Sequence, residues 1–172
     1  VDTAQWANDT EHTGPIEVTG EGKFPEESSI FDTAMEYKLR YKYANGVELN
    51  VESGGTGLRF EGTDGWVGNE GWRKPLKASD PKILNSVIGA GDLKLYTCAG
   101  GEHRNFLDCF RSRKVPYFPA EVGHRCATVL HIGNISMQLG KTLQWDPEKE
   151  EFVGNDAANK MRSKPMRKPW TL

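Results

Sequence analysis

The apolar and polar positions run in two periods along the chain, and each change of period marks a new group of elements. From Thr33 to Tyr43 the alternation is strict: Met35, Tyr37, Leu39, Tyr41 and Tyr43 point one way, and Glu36, Lys38, Arg40 and Lys42 the other. A period of two belongs to an extended strand with one dry and one wet face. Asn45-Gly46 follows at once, the pair favoured where a tight turn needs positive φ, and then Val47, Leu49 and Val51 alternate with Glu48, Asn50 and Glu52. A hairpin is expected here. Gly57 to Gly62 reads as a third strand, Thr63-Asp64-Gly65 as a turn and Trp66-Val67 as the start of a fourth. Connections this short cannot make parallel crossovers, so one antiparallel meander is expected. Before it, Thr10 to Ser29 reads as loop around one short strand, Pro15 to Thr19.

Beyond the strands the period becomes helical. Asp80 is placed to cap a short helix from Pro81 to Val87, with Gly89 just past its end. Leu93 to Tyr96 reads as a short strand. Glu102 to Arg113 puts Phe106, Leu107 and Phe110 on one side and Arg104, Asp108 and Arg111 on the other, which predicts an amphipathic helix packed on a sheet. Pro119 to Leu139 is the longest helical stretch, closed by Gly140, and Gly133 in its middle signals close contact with a neighbour. Leu143 to Trp145 and Phe152-Val153, joined at Asp146-Pro147, predict a small hairpin, followed by a short helix from Asp156 to Met161 and an extended tail. Val1 to Asn8 reads as the later part of a helix with no initiator Met, as though cut from a longer protein.

Strands grouped first and helices later indicate an α+β fold: an open, mainly antiparallel sheet with helices packed on one face. One domain is expected for 172 residues. The aromatic residues Tyr37, Tyr41, Tyr43 and Trp66 leave two readings open. They fill an ordinary core opposite a solvated face, or they mark a sheet face that pairs with another subunit or borders a substrate site.

Composition narrows the partners. The 22 basic and 24 acidic residues, net charge -2, are spread along the whole length, which gives no electrostatic footprint for nucleic acid or an acidic membrane. No apolar run reaches the roughly 20 residues of a membrane helix, and Val1 to Thr10 has neither a basic stretch nor an apolar core. The compartment is left open, with the cytoplasm as the default, since any export signal of the longer protein would lie in its preceding part. Cys98, Cys109 and Cys126 form no C-x-x-C pair, which excludes a zinc ribbon and leaves reduced thiols as the reading. Gly54-Gly55-Thr56-Gly57 lies between two strands and cannot present amides at a helix N-terminus, so it reads as a turn and not as a phosphate loop. His124 and His131, two helical turns apart, are too distant to share one metal. His103 and Arg104 open a helix, where an anionic or hydroxylated ligand can be met.

The run Asn105-Phe106-Leu107-Asp108-Cys109-Phe110-Arg111-Ser112-Arg113-Lys114 closely resembles the NFLDCVRSRK segment of bacterial oxidoreductases of the glucose-fructose oxidoreductase and inositol dehydrogenase (Gfo/Idh/MocA) family. Gly123-His124-Arg125, Leu130 to Ile135, Trp145-Asp146-Pro147, Gly154-Asn155-Asp156 with Ala158-Asn159, and Pro165 to Trp170 agree with it in order and spacing, as does Asp2-Thr3-Ala4-Gln5-Trp6 near the start. The resemblance implies the C-terminal, dihydrodipicolinate reductase-like domain of a two-domain enzyme, residues 1–172 serving substrate binding and oligomerisation. A Rossmann half holding NAD or NADP would precede it and is absent here, so this chain alone is expected to bind no dinucleotide.

In many members a D-x-x-x-H-x-x-D motif supplies catalytic Asp and His, and registering its last Asp on Asp2 puts its His before Val1. No catalytic or metal-binding residue is therefore assigned within the chain. Asp2, Gln5 and Trp6 are candidates for the edge of the substrate pocket, with His103, Arg104 and His124 as further substrate-binding candidates. The implied partners are a sugar-like small molecule and further copies of the chain, as a dimer or tetramer through the open sheet. Some relatives use NAD for glycoside hydrolysis, and a non-catalytic sheet-forming binding module is a further alternative.

Overall fold

The computed structural model describes residues 1–71, 73–92 and 97–170. The expected strand from Leu93 to Tyr96 lies outside the described residues. The chain divides into two compact units, one of Val1–Ser53 with Val115–Leu172 and one of Gly54–Lys114.

In the first unit the short strand β1 (Glu17–Lys23) is central, with β2 (Glu36–Lys42) and then β3 (Glu48–Glu52) on one side of it. On its other side lie β7 (Leu143–Asp146) and β8 (Glu151–Phe152), giving a five-stranded sheet in the order β3-β2-β1-β7-β8. Every pairing in it is antiparallel. The turn from β2 to β3 forms as expected, with Gly46 at φ +86° and the Asn45 side-chain oxygen accepting from the amide of Val47 at 3.2 Å. Around this sheet come α1 (Asp2–Ala7), α4 (Ala120–Leu139) and α5 (Asp156–Lys160).

Register decides which face is dry. Val18 pairs with Tyr41, Gly20 with Leu39, and Tyr41 in turn with Leu49, so these residues share the face that α4 covers. Val18, Tyr41, Val129 and Ile132 are buried there, and Trp145 meets Phe152 edge-on at a centroid distance of 4.9 Å. A Cβ on Gly133 would come within 2.1 Å of the Tyr41 hydroxyl, so only glycine lets the helix backbone lie this close to the sheet. The close contact expected at Gly133 is therefore real. Gly140 ends α4 in the left-handed region at φ +60°.

The second unit carries β4 (Leu58–Gly62), β5 (Gly65–Asn69) and β6 (Lys77–Ala78) as a separate three-stranded antiparallel sheet, with α2 (Pro81–Leu84) and α3 (Gly101–Ser112). This corrects the single meander: the third and fourth expected strands leave the first sheet. β4 pairs with β5 and not with β3, and Gly57 lies so close to the Asn69 carbonyl that a Cβ would stand 2.9 Å from it. Asp80 caps α2 by accepting from the Lys82 amide at 2.8 Å, although the helix stops short of Val87, at Leu84. Arg59 stacks on the Trp66 ring at 4.4 Å, so Trp66 packs under a cation instead of entering a core. The α3 helix forms where expected, yet none of its residues is buried, and the predicted packing of its apolar side on a sheet is not found among the described residues.

Candidate functional site

The α1 helix has no side-chain cap at its start and is too short to persist alone, so its position is set by what it grips. Gln5 supplies the grip. Its Nε2 donates to the carbonyls of Thr10 at 3.1 Å and Thr13 at 3.3 Å, while its Oε1 accepts from Thr10 Oγ1 at 2.9 Å and from the Tyr43 hydroxyl at 2.5 Å. Both amide hydrogens and both oxygen lone pairs are spent inside the protein, and the side chain is buried. Gln5 thus has no polar atom left for a sugar hydroxyl. Asn45 Nδ2 adds a second tie by donating to Asn8 Oδ1 at 2.9 Å.

Asp2 and Trp6, four residues apart on this helix, share one of its faces. Asp2 is exposed and Trp6 half-buried, which presents a carboxylate beside an indole at the rim of the first unit. Burial first, and then the charge of Asp2, push the Cys126 thiol above its ordinary pKa. Burial likewise raises the phenol of Tyr43, above the range in which it could act as a base near neutrality.

His124 lies near the start of α4 and its Nε2 is 2.6 Å from Glu150 Oε1. Its neighbour Arg125 donates to the Pro147 carbonyl at 2.7 Å and pairs with Glu150 at 3.0 Å and Glu121 at 2.7 Å. Arg125 holds the Glu121 carboxyl below its usual value, and the amides of Lys149 and Glu148 do the same for Asp146. The Gly123-His124-Arg125 and Trp145-Asp146-Pro147 motifs are thus two sides of one clamp on the β7–β8 turn. Asn159 completes it, donating to and accepting from the Phe152 backbone, both at 2.8 Å.

His103 and Arg104 belong to the second unit, on α3. Glu102, His103, Phe106 and Leu107 line a shallow, open and mainly apolar depression there. Arg104 spends its guanidinium on Asp108 one turn along, with Nε and Nη2 each 3.0 Å from a carboxylate oxygen. Among the described residues no group of three His, Cys, Asp or Glu is placed to hold a metal, and no helix is long and apolar enough to cross a membrane. The glycine run 54–57 leads β3 to β4 and meets no helix N-terminus, so it does not fit a dinucleotide phosphate.

The wet face of the first sheet carries a charge pattern that strand periodicity hinted at and register completes. Glu17 pairs with Lys42, Thr19 with Arg40, Glu21 with Lys38 and Lys23 with Glu36. Across β2, Lys42 pairs with Glu48 and Lys38 with Glu52. Lys42 Nζ is 2.9 Å from Glu17, whose carboxyl is held below its usual value by Lys42 first and then by Gln144. The tyrosines lie on the opposite, buried face, so the reading of an aromatic docking face for Tyr41 and Tyr43 gives way to that of a core.

Comparison with known proteins places this arrangement. The family model described as "Oxidoreductase family, C-terminal alpha/beta domain" matches residues 1–172. No curated protein matches. Among solved structures, the chain is similar in fold to the aldose-aldose oxidoreductase from Caulobacter crescentus complexed with glycerol, at a TM-score of 0.58 and 12% identity over 83% of this chain. That similarity covers 44% of the Caulobacter protein, so this chain spans less than half the length of the enzyme it resembles. The chain belongs to the Gfo/Idh/MocA oxidoreductase family and has the α+β fold of its C-terminal domain.

Proposed function

We propose that residues 1–172 act together as the substrate-binding and oligomerisation domain of an NAD(P)-dependent oxidoreductase for a sugar or polyol. The observation that carries this reading is the Gln5 bracket, which fixes a six-residue helix so that Asp2 and Trp6 stand together at an edge. An indole covers the C–H face of a pyranose or polyol, and a carboxylate accepts from its hydroxyls. Gln5 is then a positioning residue. His103 stays a secondary candidate, whereas Arg104 and His124 already have carboxylate partners.

The dinucleotide, when bound to a nucleotide-binding half, would accept the hydride, and the base that takes the hydroxyl proton is assigned to that half as well. This chain's own task is to hold the carbon skeleton still and to join copies through the open sheet. In the enzyme carrying this domain, Asp2→Asn and Trp6→Ala should each raise KM for the best aldose or polyol about tenfold. Arg104→Ala should leave KM within about twofold, since its guanidinium faces Asp108. Unchanged KM in both α1 variants, with circular dichroism intact, would remove the pocket edge from α1.

A further inference from the structure

The hydrogen bonds that hold the α1 helix differ in reach. Thr10 and Thr13 belong to the same stretch of chain as Gln5, and they take its two amide hydrogens and one of its oxygen lone pairs. The Thr10 amide also donates to the Gln5 carbonyl at 2.9 Å, so this part of the bracket closes on its own helix. Local closure shapes the segment and leaves its place on the sheet undetermined. Tyr43 comes from elsewhere: its hydroxyl donates to Gln5 Oε1 at 2.5 Å across a separation of 38 residues.

Tyr43 is itself fixed. Its amide donates to the Val47 carbonyl at 2.9 Å and its carbonyl accepts from the Gly46 amide at 3.0 Å, so the β2–β3 turn locks the residue that follows β2. Its ring is buried in the core of the first unit. Burial, and then nearby Cys126, raise the phenol above its usual pKa, so it stays a proton donor across the neutral range. Thr10 Oγ1 carries one hydrogen and has two acceptors within reach, the Gln5 carbonyl at 3.2 Å and Oε1 at 2.9 Å. Oε1 therefore shares the Thr10 hydrogen with the backbone, whereas the phenol points at Oε1.

We propose that Tyr43 is the positioning residue that sets α1 on the sheet, and with it the Asp2–Trp6 edge that meets the substrate. The inference rests on the substrate edge proposed above and names the group outside α1 on which that edge depends. The buried phenol meets no substrate; it acts through Gln5, which stands between Asp2 and Trp6 in the helix. A shift of Gln5 carries both. The tie from Asn45 to Asn8 is exposed to competing water and lies at the far end of α1 from Asp2. A misplaced edge weakens substrate and transition state alike, so the loss falls on KM and spares kcat.

The test is steady-state kinetics of Tyr43→Phe in the enzyme carrying this domain, with its best aldose or polyol as substrate. Phenylalanine keeps the buried ring and Oε1 keeps Thr10 as a donor, so the variant should fold with unchanged circular dichroism. KM should rise about fivefold, the weight of one hydrogen bond, with kcat within about twofold. Tyr41→Phe, on the same strand and also buried but with an unpartnered hydroxyl, should leave both constants within about twofold. In an enzyme already carrying Asp2→Asn and Trp6→Ala, Tyr43→Phe should add less than about twofold to KM, since the edge it positions is gone. The full effect persisting there means that Tyr43 acts by another route and overturns the proposal. So does a fall in kcat at constant KM. An unchanged KM in Tyr43→Phe, while Asp2→Asn and Trp6→Ala raise it, overturns the proposal and leaves the edge standing. An unchanged KM in all three variants removes the edge itself, and the role of Tyr43 with it.

Discussion

The two units of this chain are built from similar local signals and end in opposite conditions. In the first, Val18, Tyr41, Val129, Ile132 and Phe152 are buried between a sheet and one long helix. In the second, Leu84, Ile88, Phe106, Leu107 and Phe110 are all exposed, and among the described residues every member of the hydrophobic core belongs to the first unit. Capped helices and tight turns occur in both. Caps and periodicity thus decide which elements form, whereas burial decides which unit carries the stability.

That contrast can be broken most severely at Gly133. Gly133→Ala should cost about 2 kcal/mol or more in urea unfolding, since the added methyl meets the Tyr41 hydroxyl. Tyr41→Phe alone should be neutral or stabilise by up to about 1 kcal/mol, because that hydroxyl is buried without a hydrogen-bond partner. Combining the two should recover more than half of the loss, and strictly additive effects would mean the helix has moved away instead. At the other extreme, Phe106→Ser with Leu107→Ser on α3 should shift stability by no more than about 0.5 kcal/mol, as no buried contact is lost. A larger drop would show that this apolar side is covered in solution and would erase the contrast between the units.

Strand periodicity made the β2–β3 hairpin legible, and cap chemistry did the same for α2 and α4. Periodicity did not show where the sheet ends. β3 and β4 are separated by a short glycine run, as hairpin strands would be, and only tertiary pairing sends β4 to β5 alone. The aromatic run on β2 was equally ambiguous, because alternation identifies a dry face without naming its cover. Gly133 was the local clue that a helix lay upon it. Of the site residues, the family motif picked out α1 correctly as an element, but polarity alone could not tell the inward Gln5 from the outward Asp2. His124 and Arg125 stood out through their motif, and the structure gives that motif a structural task, the clamp on the β7–β8 turn. The charge pattern of the wet face escaped notice because a mixed-sign strand looks merely solvated until its register is known.

Under the proposed function this chain supplies the substrate and oligomer contacts of an oxidoreductase whose dinucleotide is held elsewhere. Calorimetric titration of NAD and of NADP into the chain alone, and into a protein in which it is joined to its nucleotide-binding half, tests this directly. The longer protein should bind one dinucleotide, and the chain alone should give no heat of binding. Tight binding to the chain by itself would contradict that division of labour.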